Sequence, residues 1–358
     1  MEKLRIGLIG CGRISELHLS AYREIEGAEV AAVCDIDLAI AESTAAAHGI
    51  EVSYTDYREL CGNPSIDAVE ILTPQPLHEE MALRAMAEGK HVSLQKPMTI
   101  SLPSAGRILA AAKANKIVFR VADNYLFYPP IVKAKEMIDR GVIGEPTNIR
   151  IKMLSGGSGG WDVPDSAWAW RHKETQSGRG MQTFDHGHHL WALSWFLMGP
   201  VERVVSWIDS IDGCIDSPAV MMWKHRTGIR YGMCEYAHAP EMEIPSSYYA
   251  NDEMVEITGS KGLIMINRCT GMLMDRPPLS LFTGGKWTHI EDIETDWASG
   301  FTGSAHNFVD AIHGKAAPSL SGEEGLEILR FDVAISESAR LGREVYIDRL
   351  EQTAGAEA

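Results

Sequence analysis

Three groups of residues in this sequence have the types and spacing to do chemistry. The run Gly10-Cys11-Gly12-Arg13-Ile14-Ser15 follows an apolar segment and opens an amphipathic one, the pattern of a glycine turn feeding a phosphate-binding helix. Gly10 permits the tight turn, Gly12 lets the backbone approach a pyrophosphate, and the small Ser15 allows close helix–strand packing. The helix entered at Arg13 and Ile14 would turn its first N–H groups toward the phosphates. Asp35 ends the next apolar run, where a carboxylate accepts hydrogen bonds from an adenosine ribose. Ile36 and Asp37 offer no cation for a 2′-phosphate, so NAD is expected rather than NADP. A glycine turn in an unliganded α/β domain has the same local pattern but leaves Asp35 unexplained.

The second group is Thr73-Pro74-Gln75-Pro76-Leu77-His78 together with Gln95-Lys96-Pro97. Both stretches fall at the carboxyl ends of expected parallel strands, where open α/β sheets bind ligands. Lys96 is fixed between an apolar strand and a proline, although a loop lysine is also commonly just exposed. The third group runs from Gly178 to His189 and contains Asp185 and His189 at i, i+4 spacing, which places them on one face of a helix. A carboxylate beside an imidazole holds the ring in one orientation and makes it a better proton acceptor. That suits removal of a proton from an alcohol whose carbon is losing hydride. A satisfied buried histidine pair is the structural alternative. His186, His188 and His189 also raise a metal site, but Asp185 and His186 are adjacent and face apart, so no metal is expected.

The elements that must position these groups change character along the chain. Up to residue 121, short apolar runs (4–9, 30–34, 68–72, 91–94, 117–121) alternate with helical stretches (14–25, 38–48, 77–88, 103–115), which implies βαβ units and a parallel sheet. A helix over 129–140 follows. Beyond it come closely spaced strands at 147–153, 201–208, 219–223, 229–236, 253–258 and 263–267, the texture of a mostly antiparallel sheet. A helix over 181–197 interrupts them, a flexible loop is expected at 155–160, and helices over 305–313 and 323–341 close the chain. The expected division is residues 1–122 for the dinucleotide domain, 123–350 for a substrate-binding and oligomerisation domain, and 351–358 for a disordered tail.

Composition bounds the partners. A net charge of −16 with no Lys/Arg block argues against nucleic acid. Six scattered cysteines without a C-x-x-C pair read as reduced, packed thiols of a cytoplasmic protein. The apolar segment near the first residues is too short for a secretion signal, and the run 190–198 is too short to span a membrane.

Taken in order, these motifs resemble the Gfo/Idh/MocA oxidoreductases over residues 7–347. The markers are the glycine turn, Thr73 to His78, Lys96-Pro97, the D-x-G-x-H segment Asp185 to His189, the helix Phe308-Val309-Asp310-Ala311-Ile312, and Ser321-Gly322-Glu323-Glu324-Gly325. The resemblance implies an α/β protein: an N-terminal Rossmann doubly wound parallel sheet, then an α+β domain with a large, mostly antiparallel, open-faced sheet. It implies that Lys96 lies beside the reacting hydroxyl and nicotinamide, with His189 as acid/base and Asp185 orienting it. Thr73, Pro74, His78, Gln95, Trp170 and Arg171 become expected cofactor contacts, and Asn124 and Tyr125 expected substrate contacts. For Arg171 an ordinary salt bridge is the alternative. Two departures stand out. The usual E-K-P is Gln95-Lys96-Pro97, and the usual G-G-G is Gly178-Arg179-Gly180, with the spacing to Asp185 one residue longer.

The expected activity is NAD-dependent oxidation of a secondary hydroxyl of a sugar, glycoside or cyclitol. One alternative is glycoside cleavage through transient C3 oxidation with the cofactor recycled. Another is a non-catalytic NAD-binding regulator. An open sheet face recruits a partner, so a homodimer or homotetramer is expected.

Overall fold

Short β-branched runs that cannot each bury both faces alone are stacked side by side, and helices with one apolar stripe cover them. The computed structural model describes residues 3–177, 179–211 and 215–350. The expected tail at 351–358, together with Gly178 and Cys214, lies outside the described residues.

The chain forms two compact units: the residues up to Phe127 with Ala298–Leu329, and Tyr128–Trp297 with the residues from Arg330 on. In chain order the first unit holds β1 (Leu4–Ile9), α1 (Ser15–Arg23), β2 (Ala28–Cys34), α2 (Leu38–His48), β3 (Val52–Tyr54), α3 (Tyr57–Gly62), β4 (Ala68–Ile71), α4 (His78–Ala87), β5 (His91–Gln95), α5 (Leu102–Ala114) and β6 (Phe119–Ala122). Its six strands are parallel in the order β3-β2-β1-β4-β5-β6, the doubly wound arrangement with its crossover at β1 and β4. Strands β4 and β6 are buried throughout, as a sheet clad on both faces requires.

The second unit begins with α6 (Pro129–Asp139), β7 (Pro146–Ser158), α7 (Asp165–Gln176), α8 (Gly187–Met198), β8 (Val201–Ile208) and β9 (Ala219–His225). It continues with β10 (Tyr231–Glu243), β11 (Asn251–Gly259), β12 (Gly262–Ile266), β13 (Leu279–Thr283) and β14 (Lys286–Ile290). After α9 (Ser299–Ile312) in the first unit, α10 (Gly322–Leu341) leads to β15 (Val345–Tyr346). The nine-stranded sheet runs β14-β13-β12-β11-β7-β10-β9-β8-β15, and among the described residues only the pairing of β7 with β10 is parallel. Its strands alternate: Ile149, Ile151 and Met153 of β7 are buried while Arg150 and Lys152 face outward.

Three expectations change. Residues 298–329 belong to the first unit, because α9 packs on α1, with Phe301 edge-on to His18, and meets β6 where Arg120 lies over Phe308. The loop expected at 155–160 is strand as far as Ser158: Ser155 pairs with His238 and Asn251. Gly156 and Gly157 permit this, since a Cβ there would lie 2.4 Å from the Met242 carbonyl and 2.0 Å from that of Pro240. The helix expected over 181–197 opens as a π-helical turn, Met181–His186, before α8.

Candidate active site

In the first unit the glycine turn joins β1 to α1. Gly10 has φ +97°, and a Cβ there would press on the Leu72 carbonyl and Thr73 nitrogen at 3.1–3.2 Å. Gly12, by contrast, faces open space. No side chain caps α1, which leaves its first turn to present N–H groups outward. Arg13 and Ile14 occupy that entry, and Ser15 is buried with its hydroxyl donating to the Gly12 carbonyl at 2.7 Å. At the end of β2, Asp35 accepts from the N–H of Cys11 at 2.9 Å and of Asp37 at 3.0 Å. Burial, with the Asp35 charge adding to it, pushes the Cys11 thiol up to about 11, so it is a packing group and no nucleophile. Asp37 in turn caps α2. The open space at Gly12, the uncapped helix end and the half-buried Asp35 fit a dinucleotide's pyrophosphate and adenosine ribose.

The two loops of the second sequence group meet at His78. Its Nε2 lies 2.8 Å from the Thr73 carbonyl and its Nδ1 lies 3.1 Å and 3.2 Å from those of Pro97 and Met98. Burial holds its pKa below the usual histidine value. His78 is 0% exposed. His78 lies between the Thr73-Pro74 loop and the segment that carries Lys96. Gln95 and Lys96 are half-buried, and the Lys96 N–H donates to Gln95 Oε1 at 2.8 Å.

After β6, Asn124 is 4% exposed and its Nδ2 has no hydrogen-bond partner. A buried amide donor left unmet is costly, and it fits the polar ligand contact expected there. Tyr125 has no exposed surface and sits in a 3-10 turn.

In the second unit the candidate acid–base residues lie where the π turn runs into α8. The Asp185 N–H donates to the Gly180 carbonyl at 3.1 Å, a five-residue step. A π turn holds one more residue than an α turn over the same carbonyls, and it absorbs the extra residue noted between Gly180 and Asp185. Buried Asp216 anchors the turn, accepting from the N–H groups of Gln182 at 2.6 Å and Thr183 at 2.7 Å. Only glycine fits at 180, because a Cβ would lie 1.9 Å from Asp216 Oδ2. Burial raises the Asp216 pKa. Arg179, the other departure, bonds Glu174 of α7 at 2.5 Å and so pins the approach to this turn.

Asp185 is joined by Arg171 of α7, Nε to Oδ2 at 3.4 Å, and that guanidinium lies over the Trp170 ring at 4.6 Å. The salt-bridge alternative for Arg171 is thus present. His189 is 7% exposed and meets the ring of His186 edge-on at 5.7 Å. His186 Nε2 lies 2.8 Å from Glu253 Oε1. Burial pushes Glu253 up, but the His186 and Thr270 hydrogen bonds outweigh it and hold the carboxyl below the usual range. Among the described residues, no three His, Cys, Asp or Glu side chains form a metal-holding group.

Glu253, Asp216, Glu70 and His18 were missed from sequence. An acid inside the apolar run Ala68-Val69-Glu70-Ile71 was the available signal for Glu70. Asp216 and Glu253 act across more than thirty residues of chain, and nothing local marked them.

Residues 4–123 match the family model for the oxidoreductase NAD-binding Rossmann fold, and 135–347 match that for the family's C-terminal α/β domain. The chain belongs to the Gfo/Idh/MocA family of oxidoreductases. It is 26% identical to a D-apiose dehydrogenase of Paraburkholderia graminis, over 99% of this chain and 93% of that one. It is 27% identical to an inositol 2-dehydrogenase of Rhizobium meliloti, over 96% of this chain and 99% of that one. A levoglucosan dehydrogenase solved with NADH and levoglucosan shares the fold at a TM-score of 0.82 and 24% identity, covering 97% of this chain and 99% of that chain. No helix among the described residues is long and apolar enough to cross a membrane.

Proposed function

We propose that the protein oxidises a secondary hydroxyl of a sugar, glycoside or cyclitol to the ketone, with NAD rather than NADP as cofactor. The observation that carries the cofactor choice is Asp35. Its carboxylate, held at the end of β2 by two N–H groups, accepts from a free ribose diol and would repel a 2′-phosphate. Ile36 is 94% exposed beside it and supplies no compensating cation. The substrate class is supported by relatives named for apiose and inositol.

NAD supplies the hydride acceptor when bound. His189 takes the proton of the reacting hydroxyl, and Lys96 assists by donating to that oxygen in one direction and polarising the carbonyl in the other. Asp185 orients the acid–base group, and Arg171 in turn holds Asp185. Asn124 offers its unmet amide donor to a hydroxyl. Thr73, Pro74 and Gln95 of the first unit serve as cofactor contacts, and His78 braces their loops.

A panel of free sugars, glycosides and cyclitols, offered with NAD and with NADP and followed by NADH absorbance, tests this reading. A polyol should reduce NAD stoichiometrically, with NADP at least tenfold poorer. Glycoside cleavage without net NADH would replace it with the cofactor-recycling reaction. NAD binding with no turnover on any member would leave a regulator.

A further inference from the structure

A buried polar chain in the first unit runs from strand β4 out to Lys96, and its donors and acceptors can be assigned one by one. Glu70 of β4 is 0% exposed. It accepts from the Tyr22 hydroxyl at 2.6 Å and the Ser93 hydroxyl at 3.0 Å, and His18 Nδ1 lies 3.1 Å from its Oε1. Arg120 of β6 is anchored by its bonds to Ser93 at 2.9 Å and the Ser304 carbonyl at 2.5 Å, and it approaches Glu70 to 4.0 Å. Burial alone would push the Glu70 carboxyl up, but His18, Arg120 and Tyr22 together hold it below the usual range. The His18 ring is clamped edge-on against Phe301 of α9 at 5.1 Å. Its Nε2 faces Gln95 Nε2 at 3.4 Å, while Gln95 Oε1 receives the Lys96 N–H at 2.8 Å.

These contacts leave a single assignment. The Lys96 N–H can only donate, so the Gln95 atom beside it must be the amide oxygen. The amide NH2 then faces His18 and can only donate, so His18 Nε2 must be a bare acceptor. Its proton therefore sits on Nδ1, where Glu70 accepts it. We propose that Gln95 is a positioning residue that locks His18 in the Nδ1–H tautomer and couples the Lys96 backbone to the buried Glu70. The amide does what the more usual glutamate cannot. A carboxylate at 95 would still accept from Lys96 but has nothing to donate to His18, so the bare Nε2 would face a second acceptor. Glutamine thus extends the network to Lys96 without adding charge beyond the Glu70–Arg120 pair.

The test uses the full chain with 15N-labelled histidine, and His18→Asn serves to assign the His18 signals. At neutral pH, wild-type His18 should show a protonated Nδ1 and a bare Nε2. Gln95→Glu and Gln95→Met, neither with an amide donor, should both release a mixture of tautomers. A wild-type proton on Nε2, or variant spectra identical to wild type, overturns the proposal. The kinetic arm rests on the dehydrogenase reading: in Gln95→Met, kcat should fall about tenfold through misplacement of Lys96, with KM moving less than twofold. An unchanged kcat overturns the positioning role. If wild type oxidises no polyol while the spectra behave as stated, the activity is wrong and the tautomer lock stands.

Discussion

Arg171 Nε lies 3.4 Å from Asp185 Oδ2, so one guanidinium on α7 fixes the carboxylate that closes the π turn ahead of α8. Both side chains are mostly buried, at 20% and 16% exposure, and such a pair loses more when one partner is removed than a surface pair does. Arg171→Lys keeps the charge but loses the planar fork and its stacking on Trp170. Turnover should fall about tenfold in Arg171→Lys and further in Arg171→Ala, about 1.5–3 kcal/mol for a charge-assisted bond. Steady-state kinetics check it, and full activity in Arg171→Ala would mean that Asp185 needs no orienting partner.

Lys96→Met removes the ammonium and keeps the length of the side chain. Proton transfer by a positioned group contributes about 10²–10⁴-fold, so turnover should drop by that order. The glycine turn and Asp35 are untouched, and the Kd for NAD measured by calorimetry should move less than threefold. Persistent turnover would remove Lys96 from the mechanism.

The cofactor choice can be tested at the end of β2. Asp35→Ala removes the ribose acceptor and one tie on the Cys11 N–H, and should weaken NAD by about 1.5–3 kcal/mol, roughly 10- to 150-fold in Kd. Asp35→Ser with Ile36→Arg should in addition raise NADP affinity, because the repelling charge is gone and a cation replaces it. Titration with both cofactors measures this. A double variant that still prefers NAD would place the selectivity elsewhere.

In the first unit the glycine turn, five of the six described strands and the carboxylate ending β2 were legible because their signals are local, whereas β3, α3 and the return of residues 298–329, too short or too distant in sequence to leave a local pattern, were not. The second was legible in class but not in detail. Strands β13 and β14 were missed because neither alternates, β13 being buried over its first three residues and β14 exposed over its first four, and α7 begins after Pro164 in a stretch whose tryptophans gave no helical face. The π turn left one trace, the extra residue before Asp185, but only the backbone bond to Gly180 reveals how it is absorbed. His78 illustrates the difference: the motif marks the residue, but only the fold shows its ring lying between the Thr73 carbonyl of one loop and the Pro97 carbonyl of another. Sequence marks which residues matter more readily than what they touch.

Stability should respond to pH through His225, which is 0% exposed. Its Nε2 accepts from Trp223 Nε1 at 3.0 Å and its Nδ1 lies 2.7 Å from the Gly199 carbonyl, so the folded protein holds it neutral. Burial pulls its pKa from 6.5 to about 4. Because the folded value is depressed, the unfolded chain binds the proton first on acidification. The contribution is complete above pH 6.5 and is lost as pH falls toward 4, about 3 kcal/mol in all. Denaturant melts of wild type and His225→Gln from pH 8 to 4 should therefore converge at low pH. Parallel curves would show that His225 is not the proton acceptor.

The outward face of the nine-stranded sheet carries an apolar strip that ordinary surfaces lack. Trp207 pairs with Val220 across β8 and β9, and Met222 pairs with Met233 across β9 and β10. Trp207 is 57% exposed, and Val220 and Met222 are exposed beside it. Lys152 and Glu235 form an ion pair on the neighbouring strands at 3.2 Å, a polar rim of the kind that surrounds subunit interfaces. A second copy of the chain is the occupant expected for this strip, and a stable interface would need roughly 800 Å² per partner. Sedimentation of the wild type should give twice or four times the chain mass. Met222→Glu with Trp207→Glu should give monomers that still bind NAD, since neither residue belongs to the nucleotide-binding unit. A wild-type monomer at micromolar concentration would instead leave this face as an ordinary solvent surface.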